Sequence, residues 1–189
     1  MVSVAMIDFD RTVAELGIRH RAKAARRTLM EAGHAATPAV RRGLEHPDPS
    51  VRAGCCQILD HYLDDDCIPA LLGCLDDPDA AVRLLAVHAL ACERCKEGEC
   101  RPGEDDVVLG AMRPLANDPD RHVRAHAAHA LGPAVHRRPD ALAALETATR
   151  SDDDPTVRKV AGWYSRGGPI YERLRPCPLR RSRASPLSA

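Results

Sequence analysis

One short segment of this 189-residue chain carries residues that could bind a metal ion. His88, Cys92 and Cys95 stand at positions i, i+4 and i+7, so a helix would place all three on one face. Cys100 follows shortly after Gly98, a residue that allows the chain to fold back. Three thiolates and one imidazole form a common ligand set for structural zinc. The sequence therefore predicts a zinc site made of Cys92, Cys95, Cys100 and His88.

Two other interpretations of these cysteines stay open. The pattern C-x2-C-x4-C lacks the second CxxC pair of a zinc knuckle, so the thiols could instead form a reversible disulfide. They could also be small apolar groups with no special chemistry. A closed set of four ligands would indicate a structural ion, whereas a catalytic metal would need an open position. The ligand count therefore also bears on whether the protein is an enzyme.

The chain around this segment repeats one phrase four times: Asp-Pro, a short spacer, then Val-Arg at the start of a helix. The repeated valines are Val51, Val82, Val123 and Val157. Their intervals are 31, 41 and 34 residues (82 − 51, 123 − 82, 157 − 123), a period typical of solenoids built from stacked helix pairs. The interval of 41 is too long for this repeat type, and its surplus lies at residues 92–102, in the segment with the cysteines.

Each repeat is predicted to contain a helix A, a turn, and a helix B that begins near the repeated valine. Proline at the turn ends helix A and suits the first turn of helix B, where aspartate complements the helix dipole. In three repeats the arginine after the valine stands six residues after an aspartate. These pairs are Asp77/Arg83, Asp118/Arg124 and Asp152/Arg158. Ion pairs within one turn, or between neighbouring turns, would form a ladder along the stack.

The Asp-Pro/Val-Arg phrase, with A-x-x-A-L at residues 86–90 and 127–131, resembles HEAT repeats. The similarity is greatest to the short bacterial type named after phycobilisome-lyase subunits, and it covers about residues 37–164. It implies an all-α fold, an α-α superhelix of about four to five helix pairs. HEAT proteins are mostly scaffolds for protein partners, while a few of them are enzymes.

The repeats divide the chain into three parts. Residues 1–36 lack the phrase, and we expect them to form a helical cap over the open end of the stack, with one helix ending at Gly33. Residues 37–166 form the repeat array. Residues 167–189 are rich in proline, arginine and serine, and we expect this tail to be disordered.

A second candidate site is a row of residues on helix B, six positions after each repeated valine. The row consists of Gln57, His88, His129 and Trp163, and His126 lies near it. This position lies about 240° around the helix from the buried valine, on the surface that we expect to be concave. A polar and aromatic row there would suit a protein partner. The alternative is a solvated face that carries histidines by chance.

Composition argues against several other classes of function. The 27 basic residues balance the 27 acidic ones, so no net field attracts nucleic acid or an acidic membrane. Basic clusters near residues 19–27 and 173–183 could contact phosphates, but aromatic residues make up only 3% of the chain, which disfavours stacking on single strands. Nucleic-acid binding is therefore a weakly supported alternative.

The remaining expectations concern location and role. The sequence contains no apolar run of 18 residues and no signal-peptide pattern, so we expect a cytoplasmic protein with reduced cysteines and no membrane partner. The leading hypothesis is an interaction scaffold that presents its concave helix-B surface to a protein. The alternatives are an auxiliary enzyme or maturation factor, lyase-like or metal-dependent, and a HEAT-like DNA-binding protein.

Overall fold

The computed structural model describes residues 7–92, 94–97 and 100–176, so residues 177–189 of the expected tail lie outside it. Within the described residues the chain is all-α, which confirms the predicted α-α superhelix. The α-helices are α1 (Phe9–Ala14), α2 (Ala22–Ala32), α3 (Thr37–Arg42), α4 (Pro49–Leu59), α5 (Cys67–Gly73), α6 (Ala80–Ala91), α7 (Glu104–Asn117), α8 (Arg121–Leu131), α9 (Pro139–Ser151), α10 (Pro155–Tyr164) and α11 (Pro169–Arg173). No helix in this part of the chain combines the length and apolarity needed to cross a bilayer.

Eight of these helices form four pairs, α3/α4, α5/α6, α7/α8 and α9/α10. The second helices of the pairs stack directly on one another, α4 on α6, α6 on α8, and α8 on α10. The repeated valines lie near the start of these second helices and are fully buried, as the sequence pattern predicts. The core is made largely of Ala, Leu, Val and Cys side chains, and these small residues allow close helix packing.

Each second helix begins at a capping aspartate. The side chains of Asp48, Asp79, Asp120 and Asp154 accept hydrogen bonds from backbone N–H groups in the first turn of α4, α6, α8 and α10. Proline occupies the first helical position of α4 and α10, where its missing N–H costs nothing. The repeated phrase therefore fixes where each second helix starts.

An arginine–aspartate ladder joins neighbouring repeats. Arg83 Nε and Nη2 donate to Asp118 Oδ2 and Oδ1 at 2.7 and 2.8 Å. Arg83 Nη1 also donates to the carbonyl oxygens of Asp77 and Pro78, in its own turn. The carboxylate thus comes from the next repeat. The turn that precedes the arginine contributes only carbonyl oxygens. The same arrangement joins Arg52 to Asp77 and Arg124 to Asp152.

The N-terminal helices pack against the first pair. Helix α1 contacts α3, and α2 contacts α4. Val13, Leu16 and Leu29 from this segment are buried in the common core. Gly33, with a φ of +58°, ends α2 as expected for a left-handed terminal residue.

Part of the expected tail differs from the prediction of disorder. Helix α11 lies at Pro169–Arg173 and packs against α10. Its proline is at the first helical position, and His136 Nε2 lies 2.8 Å from the carbonyl oxygen of Tyr171. Proline at a helix start and this tertiary contact outweigh the low hydrophobicity on which the prediction rested.

We predict that the ladder makes stability depend on pH. Burial raises the pKa of Asp118, but the hydrogen bonds from Arg83 and from the Asp120 backbone N–H more than offset this, so the pKa lies below 3.8. A carboxyl group with a lowered folded-state pKa stabilises the fold above its unfolded-state pKa, and this contribution is lost as the pH falls through the folded-state value. Asp118→Asn should therefore cost about 1.5–3 kcal/mol near neutral pH and less at pH 3, below the ordinary pKa of the carboxyl group.

Urea unfolding at the two pH values measures this difference. Asp10→Asn is the matched control, because Asp10 also binds one arginine, Arg42, through both of its oxygens, but both side chains are at least 60% exposed. Its substitution should change stability little at either pH. A cost for Asp118→Asn that is equal at both pH values would contradict the assignment.

Candidate metal centre

Four side chains from two repeats could together hold a metal ion. Asp60, His88, Cys92 and Cys95 each offer one ligand atom, and these atoms all lie within 4.8 Å of one another. A tetrahedral zinc ion needs its ligand atoms roughly 3.3–3.8 Å apart, given bond lengths of about 2.0–2.3 Å. Small side-chain adjustments would therefore close the group around an ion. Carboxylate, imidazole and two thiols are all ligands that zinc accepts in proteins.

The stacking of α4 on α6 positions this group. Asp60 directly follows α4, and His88 lies in the last turn of α6. Cys92 follows the end of α6, and Cys95 lies in the loop beyond it. His88 Nε2 is 3.2 Å from Asp60 Oδ2, and the two sulfur atoms are 3.1 Å apart. This sulfur separation is too long for a disulfide, for which about 2.05 Å is required.

A buried lysine completes the surroundings of Asp60. Lys96 Nζ lies 3.2 Å from both Asp60 Oδ1 and the Asp60 carbonyl oxygen, and it also donates to the carbonyl oxygen of Ala89. Its side chain is only 1% exposed. The ammonium group therefore has three acceptors and compensates the buried carboxylate, as a buried charge requires. Together with the Glu97 N–H, which donates to His61 O, it anchors the loop.

Burial, charges and hydrogen bonds within this group change the pKa values of its members. Burial raises the pKa of Asp60, but the hydrogen bond to His88 and the charge of Lys96 bring this pKa below 3.8. The same hydrogen bond raises the pKa of His88 above 6.5. The hydrogen bond to Cys92 and the contact with Asp60 raise the pKa of Cys95 to about 12. Burial opposes ionisation of Cys92, but hydrogen bonds from Cys95 and Arg94 lower its pKa below 9.0.

The structure brings together three of the four predicted ligands and places the fourth elsewhere. Cys100 lies outside the group, and its thiol donates to Asp65 Oδ1 at 3.3 Å. The reason is that Lys96 and Glu97 tie the loop to residues 60–61, so that the chain continues toward the turn after α4. Asp60 takes the place that the sequence analysis gave to Cys100.

Sequence reasoning missed Asp60 and Lys96 because both contacts are non-local. A signal for Asp60 does exist. It stands nine residues after Val51, and the equivalent positions of the next two repeats hold Ala91 and Gly132. A carboxylate where the next two repeats have small residues indicates a special contact between neighbouring second helices.

The predicted row on the second helices is continuous with this group. His88 Nδ1 lies 3.1 Å from His126 Nε2. Further along, His129 Nδ1 lies 3.0 Å from the Tyr164 hydroxyl, and the rings of His129 and Trp163 are 6.0 Å apart. Burial, with the nearby charges of His88 and His129, lowers the pKa of His126 to about 4. His126 is therefore neutral near neutral pH and can accept a hydrogen bond from His88 Nδ1–H.

Two details complete the row. Gln57 is half-buried, and its Oε1 is a buried oxygen with no hydrogen-bond donor in the described part of the chain. At the other end, Tyr164 lies so close to Gly132 that a Cβ there would be 2.2 Å from the ring. The absence of a side chain at position 132 thus lets Tyr164 reach His129.

A groove of about 490 Å³ connects the candidate metal centre with the row. Its lining includes His88, Cys92, Arg94, His126, His129 and Pro133. His88 and Cys92 belong to both features. A molecule bound in this groove would therefore contact the candidate ligands directly.

A family model for HEAT repeats matches residues 37–99 and 100–164, which is more than half of the chain. The chain belongs to the HEAT-repeat family. The boundary between the two matches falls inside the cysteine-bearing insert, so the insert separates two double repeats of HEAT type. Among curated proteins, none matches this chain. The HEAT assignment confirms the family resemblance inferred from the repeated phrase.

We predict unequal thiol reactivity in the metal-free HEAT protein. The thiolate is the reactive form, the pKa of Cys92 is lowered, and burial together with the hydrogen bond to Asp65 raises the pKa of Cys100 to about 11. Cys92 should therefore be alkylated by iodoacetamide faster than Cys95 or Cys100 near neutral pH. Timed quenching with peptide mass spectrometry measures the three rates. A faster reaction at Cys100 would contradict the geometry of the thiol pair.

Proposed function

We propose that this HEAT protein is an interaction scaffold whose concave helix-B surface binds a protein partner, and that one zinc ion fixes the insert beside that surface. The observation that carries the proposal is the convergence of Asp60, His88, Cys92 and Cys95 beside the row of residues on the second helices, which we call the partner row. The ligands come from two repeats and the insert. An ion held there would therefore join all three.

The charge balance supports a divalent ion. Two thiolates and the Asp60 carboxylate carry three negative charges, and Lys96 supplies one positive charge. A divalent cation then makes the buried group neutral with His88 uncharged, which avoids the cost of an uncompensated buried charge. Mixed sulfur and nitrogen ligands favour zinc over magnesium or calcium, which prefer oxygen.

The ligand number supports a structural role for this ion. Four protein ligands would close a tetrahedral zinc and leave no position for substrate. His88 would bind through Nε2, and its Nδ1–H would donate to His126, an arrangement that orients metal-bound histidines. These features favour the scaffold over the alternative of a metal-dependent enzyme.

The surface beside the ion supports binding to a protein. The groove and the row offer imidazole, phenol and indole groups, and Lys159 Nζ lies 5.8 Å from the Trp163 ring centre. Aromatic and histidine side chains with a polar edge are typical of protein interfaces.

The zinc proposal predicts about one zinc per chain in protein purified without a metal-affinity tag. Cys92→Ser and Asp60→Asn should each lower zinc affinity by roughly tenfold or more, because each changes a proposed ligand. Cys100→Ser is the matched control and should retain full zinc content, since its thiol lies outside the group. Elemental analysis and competition with a chromogenic chelator give the values. Loss of zinc in Cys100→Ser but not in Asp60→Asn would restore the ligand set predicted from sequence.

The scaffold proposal predicts where partners cross-link. A photoreactive amino acid at Trp163 or Gln57 should give discrete protein adducts in cells. The same group at Leu109, which is 62% exposed on α7, is the control and should give none of these adducts. Matching adducts at all three positions, or none at the row, would count against the helix-B surface as the binding face.

A further inference from the structure

The arginine–aspartate ladder ends in an arginine that makes only half of the usual contacts. Arg158 Nη1 donates to the carbonyl oxygens of Asp152 and Asp153 at 2.6 and 3.0 Å. Arg83 and Arg124 bind the carbonyl oxygens of their own turns in the same way. Among residues 7–92, 94–97 and 100–176, however, Arg158 Nε and Nη2 have no acceptor.

Arg52, Arg83 and Arg124 show which group the fork of Arg158, its Nε and Nη2 donors, can bind. In each, Nε and Nη2 of the arginine donate to the two oxygens of one aspartate, at distances of 2.6–2.9 Å. The aspartate always follows the first helix of the next repeat. Such paired, charge-assisted hydrogen bonds are geometrically specific, and lysine cannot reproduce them. Arg158 is held by its Nη1 contacts, so little conformational entropy is lost when its fork is filled.

Residues 177–189 do not supply the missing carboxylate. Asp77, Asp118 and Asp152 stand 10, 14 and 13 residues after the first residue of α5, α7 and α9 (77 − 67, 118 − 104, 152 − 139). The same offsets from the start of α11 at Pro169 lead to residues 179–183. This stretch is Leu-Arg-Arg-Ser-Arg, and residues 177–189 contain no aspartate or glutamate.

A second copy of the chain is a poor candidate for filling the fork by continuing the stack. In the first repeat, the position equivalent to Asp77 is His46, which cannot present a carboxylate. Its Nδ1 already accepts a hydrogen bond from the Asp48 N–H. Helices α1 and α2 also cover the first pair. Head-to-tail stacking of copies would thus bring neither the right group nor a free face.

We propose that Arg158 is a docking point for a different protein, which presents an aspartate or glutamate from a helix-ending turn and continues the stack. The partner's carboxylate takes the position that Asp118 takes against Arg83. This contact lies at the C-terminal end of the ladder and is separate from the helix-B groove. It does not depend on the zinc ion.

NMR of the full chain with ¹⁵N-labelled arginine tests the proposal. The probe is a synthetic peptide with the sequence of residues 112–124, which includes the turn that carries Asp118. The Nε–H signal of Arg158 should shift saturably with millimolar peptide, while the signals of Arg52, Arg83 and Arg124 should not, because their forks are filled. The control peptide carries Asp118→Asn and should bind at least about tenfold more weakly, as expected when a charge-assisted contact is lost.

Two variants of the full chain complete the test. Arg158→Lys should reduce peptide affinity by about tenfold or more. Arg173→Lys changes another exposed arginine at the same end and should bind like the unaltered protein. Three outcomes would overturn the proposal: no saturable shift at Arg158, equal binding of both peptides, or unchanged binding in Arg158→Lys. A fourth would be a shift that depends on protein concentration alone, with dimers in sedimentation, because a second copy would then fill the fork.

Discussion

The contact on which the rest of the structure depends is the arginine–aspartate pair between successive turns. Arg52, Arg83 and Arg124 each bind carbonyl oxygens of their own turn and the carboxylate of the next one, so they fix both the turn and the offset between repeats. The capping aspartates then fix where each second helix begins. With start and offset both set, each position on a second helix faces fixed positions on its neighbours. His88, six residues after Val82, therefore meets Asp60, nine residues after Val51, and His126, three residues after Val123.

That alignment links two features that the sequence presents separately. His88 contacts Asp60 through Nε2 and His126 through Nδ1, so one imidazole belongs to the candidate metal centre and to the partner row. An ion at Nε2 would hold the ring in one orientation and leave Nδ1–H as a donor. The proposed zinc would thereby influence the surface that a partner meets, without any change in the helices themselves.

The architecture was predictable because it rests on local signals. These signals are the four valines, the turn prolines and the capping aspartates, and each depends only on neighbouring residues in the sequence. The solenoid follows from their repetition. The grouping of His88, Cys92 and Cys95 follows from helical spacing continued one step past the end of α6.

Asp60 and Lys96 were not predictable in this way, since they meet only after repeats stack and the insert folds back. Cys100 was misplaced because no helix sets its distance from Cys95. Helix α11 was not predictable from composition, because its main local signal is the single proline at its start.

Lys96 has a consequence for the order in which this region assembles. Its ammonium group neutralises Asp60 and binds two backbone carbonyl groups using protein atoms alone. Small zinc domains of the finger type stay unfolded until the ion arrives, because nothing else compensates their ligands. Here the insert has its own tether, so the polypeptide can reach its folded arrangement first and bring the thiols together before any ion is captured. Under the zinc proposal, metal loading would then be a late step on an already folded scaffold.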